Sequence, residues 1–323
     1  MTRTLDDFCD SLVDQGPDQW RPAPAALADA FVRYFRLSGR PTLDEVIRVL
    51  RDAGIAAVVA THLPGGLRGF HCGLAPGAYA IHYSTDQWAG AWEHTVLHET
   101  YEIIDEMLQD RAADPAPVRN LCREADQFAA AVLMQPAAFT GLAVATGLDV
   151  LALRQRYRRS YASVTLRLAE VLRQQPLLAV LYERRESGVP AAWTERPAPG
   201  AFRATVVART PGFGARNAGL LSGTRGGMPR RGRPPAADAL VAQVVRSGRA
   251  SYAEEEPAGN DLGTGDVAVV VRPVVWHRRL AKIALVAVPY RDRSALQPQL
   301  ASADFADTSG RNLATAQHER TSA

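Results

Sequence analysis

The chain has 323 residues, 47% hydrophobic and 22% charged, a composition typical of a globular protein with about two domains. Its 37 basic and 34 acidic residues leave a net charge of +3, which is too small to indicate nucleic-acid binding by itself. The sequence has no apolar run long enough to cross a membrane, no signal-like N-terminus and only three cysteines. We therefore expect a cytoplasmic protein with no membrane partner and no disulfide framework.

The N-terminal region predicts two helices after an unstructured start. Residues 1–24 combine acids, prolines and a tryptophan without periodicity, which favours a flexible N-terminal arm. Helical spacing of apolar residues begins after Pro24 and ends before Gly39. Thr42 is placed to cap the next helix, which we expect to end at Gly54.

Strands and two longer helices are expected next. The β-branched run 55–63 predicts a strand, and residues 70–83 predict a hairpin that turns around Gly77. A long helix over 88–108 follows, and the helix after it ends at Pro136 because proline cannot continue a helix. This order of elements predicts an α+β fold.

The remainder of the chain divides by composition. Shorter helices are expected over 137–175. After Pro176, β-branched runs surround a helix predicted over 235–249, which indicates an α+β domain over 176–297. The residues 298–323 are rich in Ala, Ser, Thr and Gln and predict a disordered tail.

The strongest local pattern is the run from His98 to Glu102. Residues four apart share one face of a helix, so His98 and Glu102 could bind one Zn²⁺ together, with Glu99 acting as general base on a metal-bound water. Cys122 and Glu124 on the following helix are alternatives for a third ligand. The competing interpretation is a solvated amphipathic helix, which the metal-binding residue types on the second helix make less favourable.

Two more side chains on the same helix are candidates. His94 lies one turn before His98 and could replace a missing ligand, although an outer or partly buried histidine is the commoner role. Tyr101 could donate a hydrogen bond to an oxyanion, but a packed aromatic ring is the commoner role for it.

The segments HTVLHETYE and READQFAAAVLMQP, in this order after AYAIHYS, resemble the ImmA/IrrE family of zinc metallopeptidases over about residues 25–175. The resemblance implies a minimal zincin-like peptidase domain over 25–136 and a metal-dependent endopeptidase that cleaves a helix-turn-helix transcriptional repressor in a stress response. It implies Glu99 as the catalytic base. The metal ligands that it implies are His98, Glu102 and Cys122, with Glu124 as the alternative to Cys122.

Two departures from the family pattern affect this interpretation. Glu102 stands where the family has its second histidine, and Cys122 stands where it has a glutamate ligand. A site with one histidine should bind Zn²⁺ less tightly or take Mn²⁺, and its anionic ligands raise the pKa of bound water. The alternative is a degenerate peptidase fold that binds no metal and acts as a transcriptional regulator or sensor on DNA or a partner protein.

Arginines are concentrated between residues 154 and 173, where RYRRSYASVTLRL resembles the second half of a helix-turn-helix. Ser160 would cap the second helix, with Val164 and Leu168 facing inward. A solvated arginine-rich face is the alternative. If the segment binds DNA, the contacting residues would be Arg156, Arg158, Arg159 and Ser160.

The last region resembles a second family. The segment PAADALVAQVVRSGRASYAEEEP and the β-branched runs after it are similar to the later half of a GAF-type sensor domain. A GAF-like domain also follows the peptidase domain in the IrrE branch, so the two resemblances agree. They imply a GAF-like sensor domain over 176–297 without identifying its ligand.

Overall fold

The chain has an α+β fold, as the sequence predicts, and divides into two compact units. The first unit comprises residues 1–138 with 157–159, and the second comprises 139–156 with 160–323. The predicted domain boundaries at 136/137 and 175/176 stay predictions. The structure is a computed structural model and describes residues 3–14, 22–111, 120–185, 197–214, 219–222, 228–255, 266–276 and 279–301.

Helix α1 spans Leu5–Val13, within the segment 1–24 for which the sequence predicts a flexible arm. Residues 1–2 and 15–21 of that segment lie outside the described residues. Thr4 accepts a hydrogen bond from the Asp7 amide, and the Asp7 side chain accepts one from the Thr4 amide, which completes a capping box. Phe8 and Cys9 of this helix are buried in the first core. Burial of this apolar face stabilises α1. The acids and prolines of the segment led the sequence analysis to predict no helix there.

The other helices of the first unit surround one apolar core. Thr42 caps the third helix through the Glu45 amide, as predicted. Large buried side chains, which include Phe31, Leu50 and Phe128, fill this core. The helices after α1 are α2 (Pro24–Phe35), α3 (Leu43–Asp52), α4 (Trp92–Arg111) and α5 (Leu121–Leu133).

The first unit also contains a three-stranded sheet of order β1-β3-β2. Strand β1 (Ala57–Thr61) is parallel to β3 (Ala78–Ser84), and β2 (Gly69–Ala75) is antiparallel to β3. The hairpin turns at Gly77, whose φ of 74° suits glycine. Strand β2 is therefore an edge strand of this sheet, and it supplies one histidine to the site described below.

Three shorter helices come next, in agreement with the prediction for this region. They are α6 (Pro136–Ala145), α7 (Val150–Tyr157) and α8 (Tyr161–Val171). Ser160 caps α8 through the Ser163 amide, and Val164 and Leu168 are buried, as the helix-turn-helix interpretation expected. Helix α8 packs in the second unit against the sheet residues Leu181, Val206 and Ala208.

The second unit is built on an antiparallel five-stranded sheet of order β5-β4-β8-β7-β6. The helix predicted over 235–249 is present as α10 (Leu240–Ser247) and packs its apolar face on the sheet. Residues 302–323 of the predicted tail lie outside the described residues. The remaining elements are β4 (Leu178–Arg184), β5 (Phe202–Arg209), α9 (Gly219–Ser222), β6 (Ser251–Glu254), β7 (Val267–Trp276), β8 (Arg279–Pro289) and α11 (Gln297–Leu300).

Among the described residues, no single helix is long and apolar enough to cross a membrane. Helices α5 and α6 reach the necessary length and composition only together, as a pair bent by 64°.

Candidate metal site

Helix α4 carries four titratable side chains at four-residue spacing, which places them along one strip of the helix. They are His94, His98, Glu102 and Glu106. The opposite face of α4 carries buried residues such as Ile103 and Ile104, and these anchor the helix in the core. The strip therefore has a fixed position relative to α5 and β2, which pack against α4.

His98 is the centre of the first cluster. Its Nδ1 lies 3.0 Å from Oδ1 of Asp126 on α5, and its Nε2 lies 3.3 Å from Oε1 of Glu102. Donor atoms of His98, Cys122 and Asp126 all lie within 4.8 Å of one another. We call His98, Cys122 and Asp126 the α4–α5 cluster.

His71 of strand β2 is the centre of a second cluster. Its Nδ1 lies 3.1 Å from Oε2 of Glu99 and 3.6 Å from Oε2 of Glu102. Its Nε2 lies 2.9 Å from Oε1 of Glu106. Donor atoms of His71, Glu99 and Glu102 lie within 4.8 Å of one another, and we call these three residues the β2–α4 cluster.

A glycine permits the close packing of β2 on α4. A Cβ atom at Gly69 would lie 2.4 Å from Cγ2 of Thr95 and 3.3 Å from Oε1 of Glu99. Such a contact with Thr95 is too short for real atoms, so any larger residue would displace the strand. Gly69 thereby sets how near His71 comes to the carboxylates of α4.

The carboxylates hold both histidines in their charged form. Burial alone would lower the pKa of His98, but its hydrogen bonds to Asp126 and Glu102 outweigh burial and raise the pKa to about 10. The hydrogen bond to Glu99 raises the pKa of His71 to about 9, against the effect of burial. The bond to His98 lowers the pKa of Glu102. These histidines and carboxylates therefore form a network of ion pairs.

His94 behaves differently from the other two histidines. Burial lowers its pKa to about 4, so its imidazole is neutral at neutral pH. Its Nε2 lies 3.9 Å from Oδ1 of Asp126, which is too long for a hydrogen bond. His94 therefore borders the α4–α5 cluster and is a candidate for an outer position around it.

The structure changes which acidic residues are candidates for ligands. Glu124, the predicted alternative to Cys122, accepts a hydrogen bond from the hydroxyl of buried Tyr101 at 2.8 Å, and it belongs to neither cluster. The Tyr101 ring is buried against Phe128, so Tyr101 has the packed-aromatic role. Asp126 of α5, rather than Glu124, has a donor atom within 4.8 Å of those of His98 and Cys122. It lies one turn after Cys122 on α5, a spacing that could have identified it.

His71 is the second residue that sequence reasoning missed. It lies in β2, the first strand of the hairpin before α4, and no local sequence pattern links it to Glu99. Only the packing of β2 on α4 brings the two side chains together.

The donor set of the α4–α5 cluster suits a divalent metal ion. Imidazole, thiolate and carboxylate are all ligands of Zn²⁺. An imidazole binds one ion through one nitrogen, and the other nitrogen usually donates a hydrogen bond to a carboxylate. His98 has this arrangement on both sides, because Asp126 faces Nδ1 and Glu102 faces Nε2. His98 and Glu102 are therefore in contact, as the helical spacing predicts. Glu102 contacts Nε2 of His98, whereas Asp126 contacts Nδ1.

The residues predicted to contact DNA have different environments. Arg156 and Arg158 are exposed, and Arg158 has a positive φ of 53°. Arg159 is buried, and its Nη1 donates to the Gly90 carbonyl at 2.7 Å and to Oε2 of Glu93 at 3.1 Å. Its burial corrects the expectation that Arg159 contacts DNA. The Ser160 hydroxyl is occupied by its capping bond.

A comparison with protein families and with curated proteins found no match for this chain. Among solved structures, a Mycobacterium tuberculosis transcriptional regulator has a similar fold, with a TM-score of 0.53 and 15% sequence identity. The similarity covers 95% of this chain and 87% of that chain. At this identity the likeness concerns the fold alone.

Proposed function

We propose that this protein is a metal-binding regulator of transcription, built on a unit that resembles an ImmA/IrrE metallopeptidase. The observation that carries the proposal is the α4–α5 cluster, in which nitrogen, sulfur and oxygen donors from two helices converge. The fold likeness to a transcriptional regulator extends over 95% of the chain and supports the regulatory part of the proposal. Exposed Arg156 and Arg158 supply positive charge for DNA phosphates.

In this proposal His98, Cys122 and Asp126 hold a divalent ion, with Zn²⁺ preferred because of the thiolate. His98 would bind through the nitrogen that faces Asp126, and Glu102 would accept the hydrogen bond of the other nitrogen. The ion would take the place of the proton of His98 and of the ion pair between His98 and Asp126. Metal binding would therefore exchange one set of contacts between α4 and α5 for another, which is a physical basis for sensing.

The test compares DNA binding by the zinc-loaded and metal-free full-length chain. The probe is duplex DNA from the region upstream of the protein's own gene, with a scrambled duplex as control. We expect a salt-dependent affinity for the upstream duplex that changes when zinc is removed by a chelator. Equal affinity for both duplexes, with and without zinc, would contradict the proposal.

Endopeptidase activity is the second candidate function. It is favoured by Glu99, a buried carboxylate that directly follows His98 in the sequence. The hydrogen bond between Glu99 and His71 opposes it, because the 3.1 Å contact with His71 already occupies Oε2 of Glu99. Anionic ligands also lower the acidity of metal-bound water.

Cleavage of a helix-turn-helix repressor tests this second function. The zinc-loaded protein is incubated with a repressor encoded beside it, and fragments are identified by mass spectrometry. A peptidase should cut at one site, and Glu99→Gln should abolish the cut while zinc content is retained. An intact repressor, or equal cleavage by Glu99→Gln, would exclude Glu99 as a catalytic base.

A further inference from the structure

The β2–α4 cluster lies outside the ligand set proposed above, and its side chains are shielded from water. The side chains of His71, Glu99 and Glu102 are 13%, 8% and 21% exposed. They come from two separate elements, a strand and a helix, and they meet because Gly69 allows close packing. Such shielding strengthens electrostatic interactions and makes uncompensated charge costly.

His71 has the surroundings of a metal-binding imidazole. Its Nδ1 faces two carboxylates, those of Glu99 at 3.1 Å and Glu102 at 3.6 Å, whereas one N–H group needs only one acceptor. Its Nε2 is held by Glu106 at 2.9 Å. A carboxylate on the far nitrogen is the usual outer partner of a histidine ligand, since it fixes the orientation of the ring.

Charge balance also favours a cation. Glu99, Glu102 and Glu106 surround His71, so even a protonated imidazole leaves the carboxylates in excess there. His98 contacts one oxygen of Glu102 and compensates part of this excess. A divalent ion between Nδ1 of His71 and the facing carboxylates would compensate the remainder.

We propose that His71, Glu99 and Glu102 bind a second divalent cation, of the Mn²⁺ class, next to the α4–α5 cluster. One nitrogen and two carboxylates form a harder donor set than one that contains a thiolate, which is why Mn²⁺ suits this cluster and Zn²⁺ the other. Glu102 connects the two clusters, because one of its oxygens faces His71 and the other faces His98. In this arrangement Glu99 is a ligand, and the catalytic-base role of the peptidase function is unavailable to it while Mn²⁺ is bound.

The experiment is a Mn²⁺ titration of the full-length, chelator-treated chain, with free Mn²⁺ measured by electron paramagnetic resonance. We expect a saturable Mn²⁺ site that is lost in His71→Gln and retained in Cys122→Ser. His62→Gln is the matched control, because His62 pairs with Asp86 at an exposed position of the same unit. It should bind Mn²⁺ like the wild type.

A second variant keeps the proposal testable if His71→Gln is unstable. Glu106 is exposed, so Glu106→Gln should fold normally, and loss of the outer partner should weaken Mn²⁺ binding by about 10–100-fold. No Mn²⁺ binding by the wild type, or unchanged binding in both His71→Gln and Glu106→Gln, would overturn the proposal. The zinc site is judged separately, by Zn²⁺ binding in Cys122→Ser, so either site can fail without the other.

Discussion

His98 and Glu102 lie one turn apart on α4, and Nε2 of His98 is 3.3 Å from Oε1 of Glu102. The opposite nitrogen of His98 is 3.0 Å from Asp126. The imidazole is therefore held from both sides by carboxylates, and whichever nitrogen binds a metal ion, the other already has its hydrogen-bond partner.

The metal-free protein should lose stability in mildly alkaline solution. The pKa values of His71 and His98 rise from 6.5 to about 9 and about 10 in the folded state. Their stabilisation is therefore fully present below pH 6.5 and is lost as pH rises through the folded-state pKa values. Denaturant unfolding in the presence of chelator should give a free energy of unfolding lower by about 1 kcal/mol or more at pH 9 than at pH 6.5.

The double variant His71→Gln and His98→Gln should flatten this pH dependence, since it removes both titrating groups. His62→Gln should leave the dependence unchanged because His62 is exposed. A wild-type chain that is equally stable at both pH values would show that these histidines are not held as cations.

Gly69→Ala should disturb the packing of β2 on α4. Its added methyl group would lie 2.4 Å from Cγ2 of Thr95, and overpacking of this kind costs about 1–3 kcal/mol of stability. Gly73→Ala is the matched control in the same strand, where a Cβ atom has no neighbour within 4 Å. Thermal unfolding of both variants gives the comparison, and equal melting temperatures would contradict the close approach at Gly69.

A buried ion pair joins Asp149 and Arg272 in the second unit. Asp149 also accepts a hydrogen bond from the Leu151 amide at 2.8 Å. Asp149→Ala leaves the arginine charge buried, and this should cost about 3–5 kcal/mol in urea unfolding. Asp52→Ala breaks an exposed pair with Arg48 and should cost about 0.5 kcal/mol or less. Similar costs for the two variants would show that the Asp149 pair is not shielded from water.

The arginines in the last turn of α7 and directly after it should separate into DNA-binding and structural residues. The double variant Arg156→Gln and Arg158→Gln should weaken DNA binding and reduce its salt dependence by up to about two counterions. Arg159→Gln should lower stability instead, because it leaves Glu93 without its buried partner. Fluorescence anisotropy at several salt concentrations and thermal unfolding distinguish the two effects. If the double variant Arg156→Gln and Arg158→Gln lowered the melting temperature instead of DNA affinity, these two arginines would be structural residues.

Much of the fold could be predicted from patterns local in sequence. The cap at Thr42, the turn at Gly77 and the α10 helix all follow from residue types within a few positions. The same local rule paired His98 with Glu102, since helical spacing alone determines that contact.

The parts that sequence reasoning missed depend on contacts between distant segments. His71 reaches Glu99 only because β2 packs on α4, and Arg159 is buried only because Glu93 and Gly90 face it. Asp126 and Glu124 are two residues apart on α5, so they point in different directions around the helix. Asp126 is four residues after Cys122 and shares its face of α5, so helical spacing favours Asp126 over Glu124 in the cluster.

Zinc analysis tests most directly whether the α4–α5 cluster binds a metal ion. The full-length chain, Cys122→Ser and the control Cys72→Ser are loaded with zinc, dialysed and measured by elemental analysis. Cys72 lies in β2 and belongs to neither cluster. We predict about one tightly held zinc ion per chain in the wild type and in Cys72→Ser, and its loss in Cys122→Ser. Zinc content that is unaffected by Cys122→Ser, or a wild type that retains no zinc, would show that the α4–α5 cluster is not a zinc site.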